Sequence, residues 1–297
     1  MGKRFGSKKV ALVGAGAIGC LSARGLAGEG IALTVIDRDY VDSSNIGRQL
    51  LYSEQDVGMP KALAVKKRIK GKVKAVVADL DFKNIDSLLK GHSLVLDCTD
   101  NMEARFLIND YCKKNQIPWI YSAALRNTAS LFTIMPQGPC FRCIFDRHNS
   151  LETCDTAGVS QGVVAEISAI QTNEAVNILL NNAPAEKGMI RINDRKIFKI
   201  RAAKNSNCPA CNGNYEYLSG KRGSKTVKMC GSNSFQISGR KVSLRQLVKS
   251  LEKKGIAVKN FGSCIFVDNM TLFADGRAII KAPSKALAKS KYHQILG

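Results

Sequence analysis

The run KKVALVGAGAIGCLSA, residues 8–23, constrains the fold of this chain more than any other stretch. Four consecutive apolar residues with no polar alternation read as a strand buried on both faces, the habit of parallel sheets covered by helices. Gly14, Gly16 and Gly19 follow in the spacing G-x-G-x-x-G and lead into a helical pattern. Glycines at this position let backbone N–H groups approach a phosphate at a helix N-terminus, where the helix dipole favours negative charge. The basic MGKRFGSKK that precedes the run also resembles the start of a lipoprotein export signal. That reading is set aside because the same residues complete a strand–turn–helix unit. No other run approaches a membrane span. The expectation is a cytoplasmic protein with no membrane association.

Short apolar runs continue to alternate with helical segments. IALTVID (31–37), VKAVVAD (73–79) and SLVLDCTD (93–100) read as strands, with helices over 17–28, 56–69 and 101–115. PWIYSAA and SLFTIMP follow as strands. A long helix covers 162–180, and a strand pair covers 189–201 around an ND turn at Asn193 and Asp194. The alternation implies an α/β fold: a doubly wound, mostly parallel Rossmann-like sheet with helices on both faces. The Ser/Gly/Lys stretch LSGKRGSK (218–225) reads as a linker. Residues 1–217 then form the large domain. Residues 218–297 form a small C-terminal α+β domain with a helix at 243–254 and strands in SCIFVD, MTLFAD and GRAIIKA.

The glycine turn alone suggests an NAD-dependent dehydrogenase, with Asp37, 23 residues after Gly14, on the ribose hydroxyls. The stretch SNIGRQLLYSEQDVGMPKALA (44–64) argues against it. A nicotinamide enzyme needs only the glycine turn for its pyrophosphate. Arg48, Gln49 and Lys61 bring cations and a donor to a larger anion, as attack on a nucleoside triphosphate requires. Asp100, in DCTDN at the C-terminal end of a strand, lies where open α/β sheets bind ligands and is suited to hold Mg²⁺. Taken singly, each of these residues reads as a surface ion pair or helix cap. Jointly they point to nucleotide chemistry.

Among ten cysteines, CFRC (140–143) and CPAC (208–211) form two CxxC pairs. Cys140, Cys143, Cys208 and Cys211 supply enough thiolates for a closed tetrahedral Zn²⁺ site in a reducing compartment. A redox CxxC is the weaker reading, because neither pair opens a helix of a thioredoxin-like unit. The three histidines show no ligand spacing.

The run DRDYVDSSNIGRQLLYSEQDVGMPKALA, the GAGAIG loop and DCTDNMEAR closely resemble the adenylating enzymes of ubiquitin-like proteins. That family includes the bacterial enzymes that activate sulfur carriers for molybdopterin and thiazole synthesis, and the eukaryotic ubiquitin-activating enzymes. The resemblance covers residue 8 to about residue 215. It implies that Asp37 holds the ribose of ATP, that Asn45, Arg48, Gln49 and Lys61 handle the triphosphate, and that Asp100 binds Mg²⁺. It implies adenylation of the C-terminal glycine of a ubiquitin-like or sulfur-carrier protein ending in Gly-Gly, and a zinc site on the same four cysteines. Cys154, in LETCDTAGVSQGVV, matches a loop cysteine that in some members takes the carrier covalently, and a thiolate near a helix N-terminus attacks a mixed anhydride readily. Homodimerisation through the nucleotide domain is also implied. Several relatives send an N-terminal arginine across the dimer; here Arg4 is the arginine ahead of Gly14, and it lies in no helical pattern.

The net charge is +21, and residues 218–297 carry 16 of the 45 Lys/Arg but 3 of the 24 Asp/Glu. That balance suits an acidic carrier, a conjugating enzyme, a sulfur donor or tRNA. A relative acting on a small molecule or a tRNA base is the alternative within enzymology, and a non-catalytic partner subunit is the alternative outside it. Both zinc pairs and Cys154 favour a protein substrate, while Arg48 and Lys61 favour an active subunit. No rhodanese-like segment follows the adenylation domain, which tilts the expectation toward conjugation over sulfur transfer.

Overall fold

In a computed structural model that describes residues 4–145, 158–181, 188–194, 196–222, 234–237 and 239–296, the apolar runs become one eight-stranded sheet. Strands β1 (Lys9–Val13), β2 (Ala32–Asp37), β3 (Val73–Val77), β4 (Leu94–Asp97) and β5 (Trp119–Leu125) pair in parallel in the order β3-β2-β1-β4-β5. This is the expected doubly wound part. Strands β6 (Thr128–Ile134), β7 (Gly188–Asn193) and β8 (Lys196–Arg201) extend the sheet by antiparallel pairings. The outermost strand, KIFKIR, is exposed along its whole length, and its Lys and Arg blunt an otherwise sticky edge.

Among the described residues, the large-domain helices are α1 (Ala17–Gly28), α2 (Lys61–Arg68), α3 (Ile85–Leu89), α4 (Met102–Lys114), α5 (Phe141–Ile144) and α6 (Gln161–Leu180). Alternate residues of β1 divide between the two faces. Val10 and Leu12 pack with Ala23 and Leu26 of α1, Val65 of α2 and Ile167 of α6. Ala11 and Val13 pack with Leu89 of α3, Phe106 and Ile108 of α4 and Phe141 of α5. Both sides of the strand are therefore dry, which is why its sequence shows no alternation.

Two expectations shift. The helix expected over 56–69 starts at Lys61, because Pro60 takes its N-cap and Gly58, at φ +89°, turns the chain just before it. The ND turn moves by one residue: Asn193 still pairs with Lys196, so the reversal begins at Asp194, φ 46°.

Among the described residues, the small domain is a five-stranded antiparallel sheet with two helices. Its elements are β9 (Ser234–Ile237), α7 (Leu244–Lys253), β10 (Lys259–Asn260), β11 (Cys264–Val267), β12 (Met270–Phe273), β13 (Ala278–Lys281) and α8 (Lys285–Leu296). Asp268 and Asn269, both at positive φ, make the tight hairpin between β11 and β12. Helix α8, hidden in a Lys-rich tail, closes the core through Ala288 and Tyr292.

Leu12 is fully buried at the centre of the main sheet. Leu12→Ala removes contacts on a face that cannot collapse, and urea unfolding should show a loss of about 2–5 kcal/mol.

Candidate functional site

The chain leaves β1 at Gly14, φ +91°, where a Cβ would fall 2.6 Å from the Cys98 carbonyl oxygen. At Gly19 a Cβ would meet the Gly14 carbonyl at 1.9 Å. These two glycines let α1 pack directly on its own turn. Gly16 has open space around it and lines the cavity described below, whereas Gly19 lies behind it. The turn is fixed from the second strand. The carboxylate of Asp37 accepts the Ala15 N–H at 2.5 Å and the Asp39 N–H at 2.6 Å. Tyr52 adds a hydrogen bond to the Ala15 carbonyl at 2.6 Å.

Residues 40–60 form a closed loop. Tyr40 and Pro60 bridge its ends, and paired backbone bonds join Val41 with Met59 and Gly58. A single 3₁₀ turn at Ser43–Asn45, capped by Asp42, presents Asn45. Asn45 then accepts backbone bonds from Arg48 and Gln49. Gln49 is buried, and its Oε1 has no hydrogen-bond partner among the described residues, which marks a place where a ligand donor belongs. Lys61 opens α2 with its side chain 10% exposed and its Nζ 3.4 Å from Asp39 Oδ2. Helix α6 anchors the loop from the other side, Gln161 donating to the Gly47 carbonyl.

Asp100 follows β4, exposed at the cavity mouth. Beneath it, fully buried Asp97 accepts the Thr99 N–H and O–H at 2.9 and 2.7 Å. Arg105 donates to the Thr99 carbonyl at 2.5 Å and lies 3.8 Å from Asp97 Oδ2. Gly14, Gly16, Asp37, Asn45, Arg48, Gln49, Lys61 and Asp100 thus line one cavity of about 1200 Å³ at the C-terminal end of the parallel strands. Burial, together with the neighbouring Asp39 charge, pushes the Asp37 carboxyl up to about 6 against the pull of Lys61. Burial likewise pushes Asp97 up to about 6 against Arg105.

Sequence reading passed over Arg38, Asp39, Asp79 and Arg105, which also line the cavity. Arg38 bonds Asp79 at 3.1 Å. Three of them stood in the quoted runs DRDYVD and DCTDNMEAR, but which carboxylates face inward depends on how the loops close. Arg4 pairs at 3.5 Å with Glu29 of its own chain. Cys154 lies outside the described residues.

Away from the cavity, the four cysteines converge. Cys140 Sγ lies 3.8, 3.5 and 3.6 Å from those of Cys143, Cys208 and Cys211, and Cys143 lies 3.5 Å from Cys211. Thiolates at the corners of a tetrahedron with bonds of about 2.3 Å stand at such separations, so the set fits a metal ion. The two pairs face each other, which a redox reading of separate CxxC motifs does not require. Arg142, inside the first pair, bonds Glu216 at 2.7 Å and approaches buried Asp110 at 3.4 Å. This network ties the cluster to the segment carrying Tyr217 and Arg222, a wall of the cavity.

The Asp97 environment gives a signed prediction. Its folded value near 6 exceeds an unfolded value of about 3.9. Between the two, the folded chain binds more protons, so stability falls as pH rises from about 4 to about 6. Asp97→Asn removes that slope. From pH 4 to pH 6.5, urea unfolding should show the unmodified chain losing roughly 2 kcal/mol more than the variant.

The ThiF family model matches residues 2–211. A sulfur carrier protein ThiS adenylyltransferase of Bacillus subtilis is 33% identical, over 99% of this chain and 94% of its own length. A molybdopterin-synthase adenylyltransferase of Salmonella typhimurium is 35% identical, over 68% of this chain and 85% of its own. The crystal structure of E. coli MccB with ATP shares the fold, with a TM-score of 0.62 at 19% identity over 70% of this chain and 68% of that one. With the glycine turn, the closed 40–60 loop and the paired cysteines all inside the matched region, the chain belongs to the ThiF family.

Proposed function

We propose that this chain is an ATP-dependent adenylyltransferase that activates the C-terminal glycine of a ubiquitin-like sulfur carrier ending in Gly-Gly. The observation that carries the proposal is the convergence on one cavity, from four separate segments, of the glycine turn, the cations Arg48 and Lys61, and the four polar or acidic side chains of Asp37, Asn45, Gln49 and Asp100. The similarity to a carrier adenylyltransferase along 99% of the chain supports it. That same similarity moves the expected fate of the carrier from conjugation toward sulfur transfer.

In the reaction, a carboxylate oxygen of the carrier's last glycine attacks the α-phosphorus of ATP. A carboxyl–phosphate bond forms, the bond from the α-phosphorus to the bridging oxygen breaks, and pyrophosphate leaves with that oxygen and its electron pair. The Asp37 oxygens already accept two backbone N–H groups, and each keeps a lone pair for a ribose hydroxyl. Arg48 and Lys61 stabilise charge that grows on the departing pyrophosphate, and Asn45 and Gln49 orient the triphosphate. Asp100 is the residue that would hold Mg²⁺, which screens the phosphate oxygens when bound. Cys154 is proposed to take the carrier as a thioester after adenylation: its thiolate attacks the glycine carbonyl carbon, the bond from that carbon to the phosphate oxygen breaks, and AMP leaves with the electron pair. The four-cysteine site is read as structural zinc, and the active protein as a cytoplasmic homodimer. The basic small domain is read as a dock for the carrier or for a sulfur-donor or conjugating partner.

Carrier-dependent exchange of labelled pyrophosphate into ATP tests the reaction. Arg48→Ala and Lys61→Ala should each lower kcat/KM by about a hundredfold or more. NADH binding without exchange would overturn the reading. Intact mass spectrometry should show AMP added to the carrier, and Cys154→Ala should keep that product while losing any thiol-labile adduct. Elemental analysis should find one zinc per chain, absent in Cys208→Ser, with a lowered Tm in the variant.

A further inference from the structure

The small domain sits on the loop that carries the nucleotide residues. At one end of that loop, Tyr40 packs against Cys264, Phe273 and Ile279, with its hydroxyl 3.5 Å from Ser234 Oγ. At the other end, fully buried Thr271 donates to the Gly58 carbonyl at 3.2 Å. The Phe266 ring closes on Gly58, where a Cβ would fall 2.3 Å from it. Between these anchors, Lys281 at the end of β13 places its ammonium 2.7 Å from Asp42 Oδ2. Lys281 and Ser234 both line the nucleotide cavity.

Asp42 links this contact to the site. Its Oδ1 accepts the Ser44 N–H and O–H at 2.9 and 2.7 Å. Its own N–H donates to Asn45 Oδ1 at 3.1 Å, completing a reciprocal cap around the 3₁₀ turn. The Asn45 carbonyl in turn accepts the Arg48 and Gln49 N–H groups at 3.2 and 2.9 Å. Burial would raise the Asp42 carboxyl, but its bonds to Lys281 and Ser44 hold it below its ordinary value. The pivot therefore stays charged, with its two oxygens assigned to different domains. Oδ2 answers to the small domain and Oδ1 to the turn.

We infer that Lys281 of the small domain is a positioning residue of the nucleotide site, setting through Asp42 the turn that presents Asn45, Arg48 and Gln49 to ATP. The inference rests on the adenylation reading above and makes the small domain a working part of the ATP site.

Steady-state carrier adenylation by the full-length chain tests it. Lys281→Ala should raise KM for ATP about two- to fivefold, the scale of a partly exposed ion pair, with KM for the carrier unchanged. Lys281→Arg should restore the ATP KM. Asp42→Asn keeps the cap acceptor but loses the charge, and should match Lys281→Ala. The double variant should be no worse than either single one. An unchanged ATP KM in Lys281→Ala overturns the inference and leaves adenylation standing. Additive effects in the double variant overturn the route through Asp42 and place Lys281 on the nucleotide itself. Absence of carrier adenylate from the unmodified chain overturns the adenylation reading instead.

Discussion

The Asp37 carboxylate joins the two loops from which the candidate site is built. One oxygen holds the glycine turn through Ala15, and the other holds the exit from β2 through Asp39. β1 and β2 are neighbours in the sheet, with Val13 opposite Ile36, so both contacts come from a rigid parallel pair. The closed 40–60 loop starts just beyond Asp39 and returns to it, Lys61 N–H donating to the Asp39 carbonyl at 2.8 Å. A shift at Asp37 would therefore move the phosphate turn and the base of the cationic segment together.

The far wall is held by different chemistry. Residues 140–143 and 208–211 come together at the four-thiol cluster, and the Arg142 contacts to Asp110 and Glu216 carry that fixed point to α4 and to the chain beyond the second pair. Tyr217 donates its N–H to Asp110 at 3.0 Å and stacks on Phe106. Gly220 at positive φ lies against the Phe82 ring. A four-thiol cluster remote from the cavity can in this way shape it, because the cluster decides where the segment after 211 runs.

Much of this was legible in the sequence because local rules and the global fold agree there. The β1 run and the glycine spacing dictate a dry strand and a tight strand-to-helix turn, and both are present. The paired cysteines gave their own convergence away, since two CxxC pairs in one chain are a strong metal-site pattern. What could not be read depends on long-range closure. Nothing local says that Asp39 and Asp79 face the cavity beside Arg38, or that Asp97 lies under the loop while Asp100 points out. Lys281, 239 residues from Asp42, carries no motif at all. The start of α2 was misjudged because Pro60 and Gly58 act through the bridge to Tyr40, a tertiary contact. Helix α8 was missed because its hydrophobic stripe is thin and its Lys content imitates a solvated tail.

The cavity gathers charges that folding alone would disfavour. Asp37 and Asp97 are buried and held above their ordinary values, and Lys61 is nearly buried with its Nζ 3.4 Å from Asp39 Oδ2. Gln49 keeps a buried oxygen without a partner among the described residues. Each feature costs stability, and sites that break the rules of a well-satisfied core are where ligands bind. Under the adenylation reading, the triphosphate lies against Arg48 and Lys61, and ribose hydroxyls supply donors for Asp37. The small domain adds to the hold: its Phe266, Thr271 and Lys281 contacts fix a loop that Val41, Leu51, Tyr52 and Met59 already pin to the main core, so Arg48 and Gln49 keep their spacing along the cavity wall. Such preorganisation is what lets fixed charges stabilise a transition state without rearranging during the reaction.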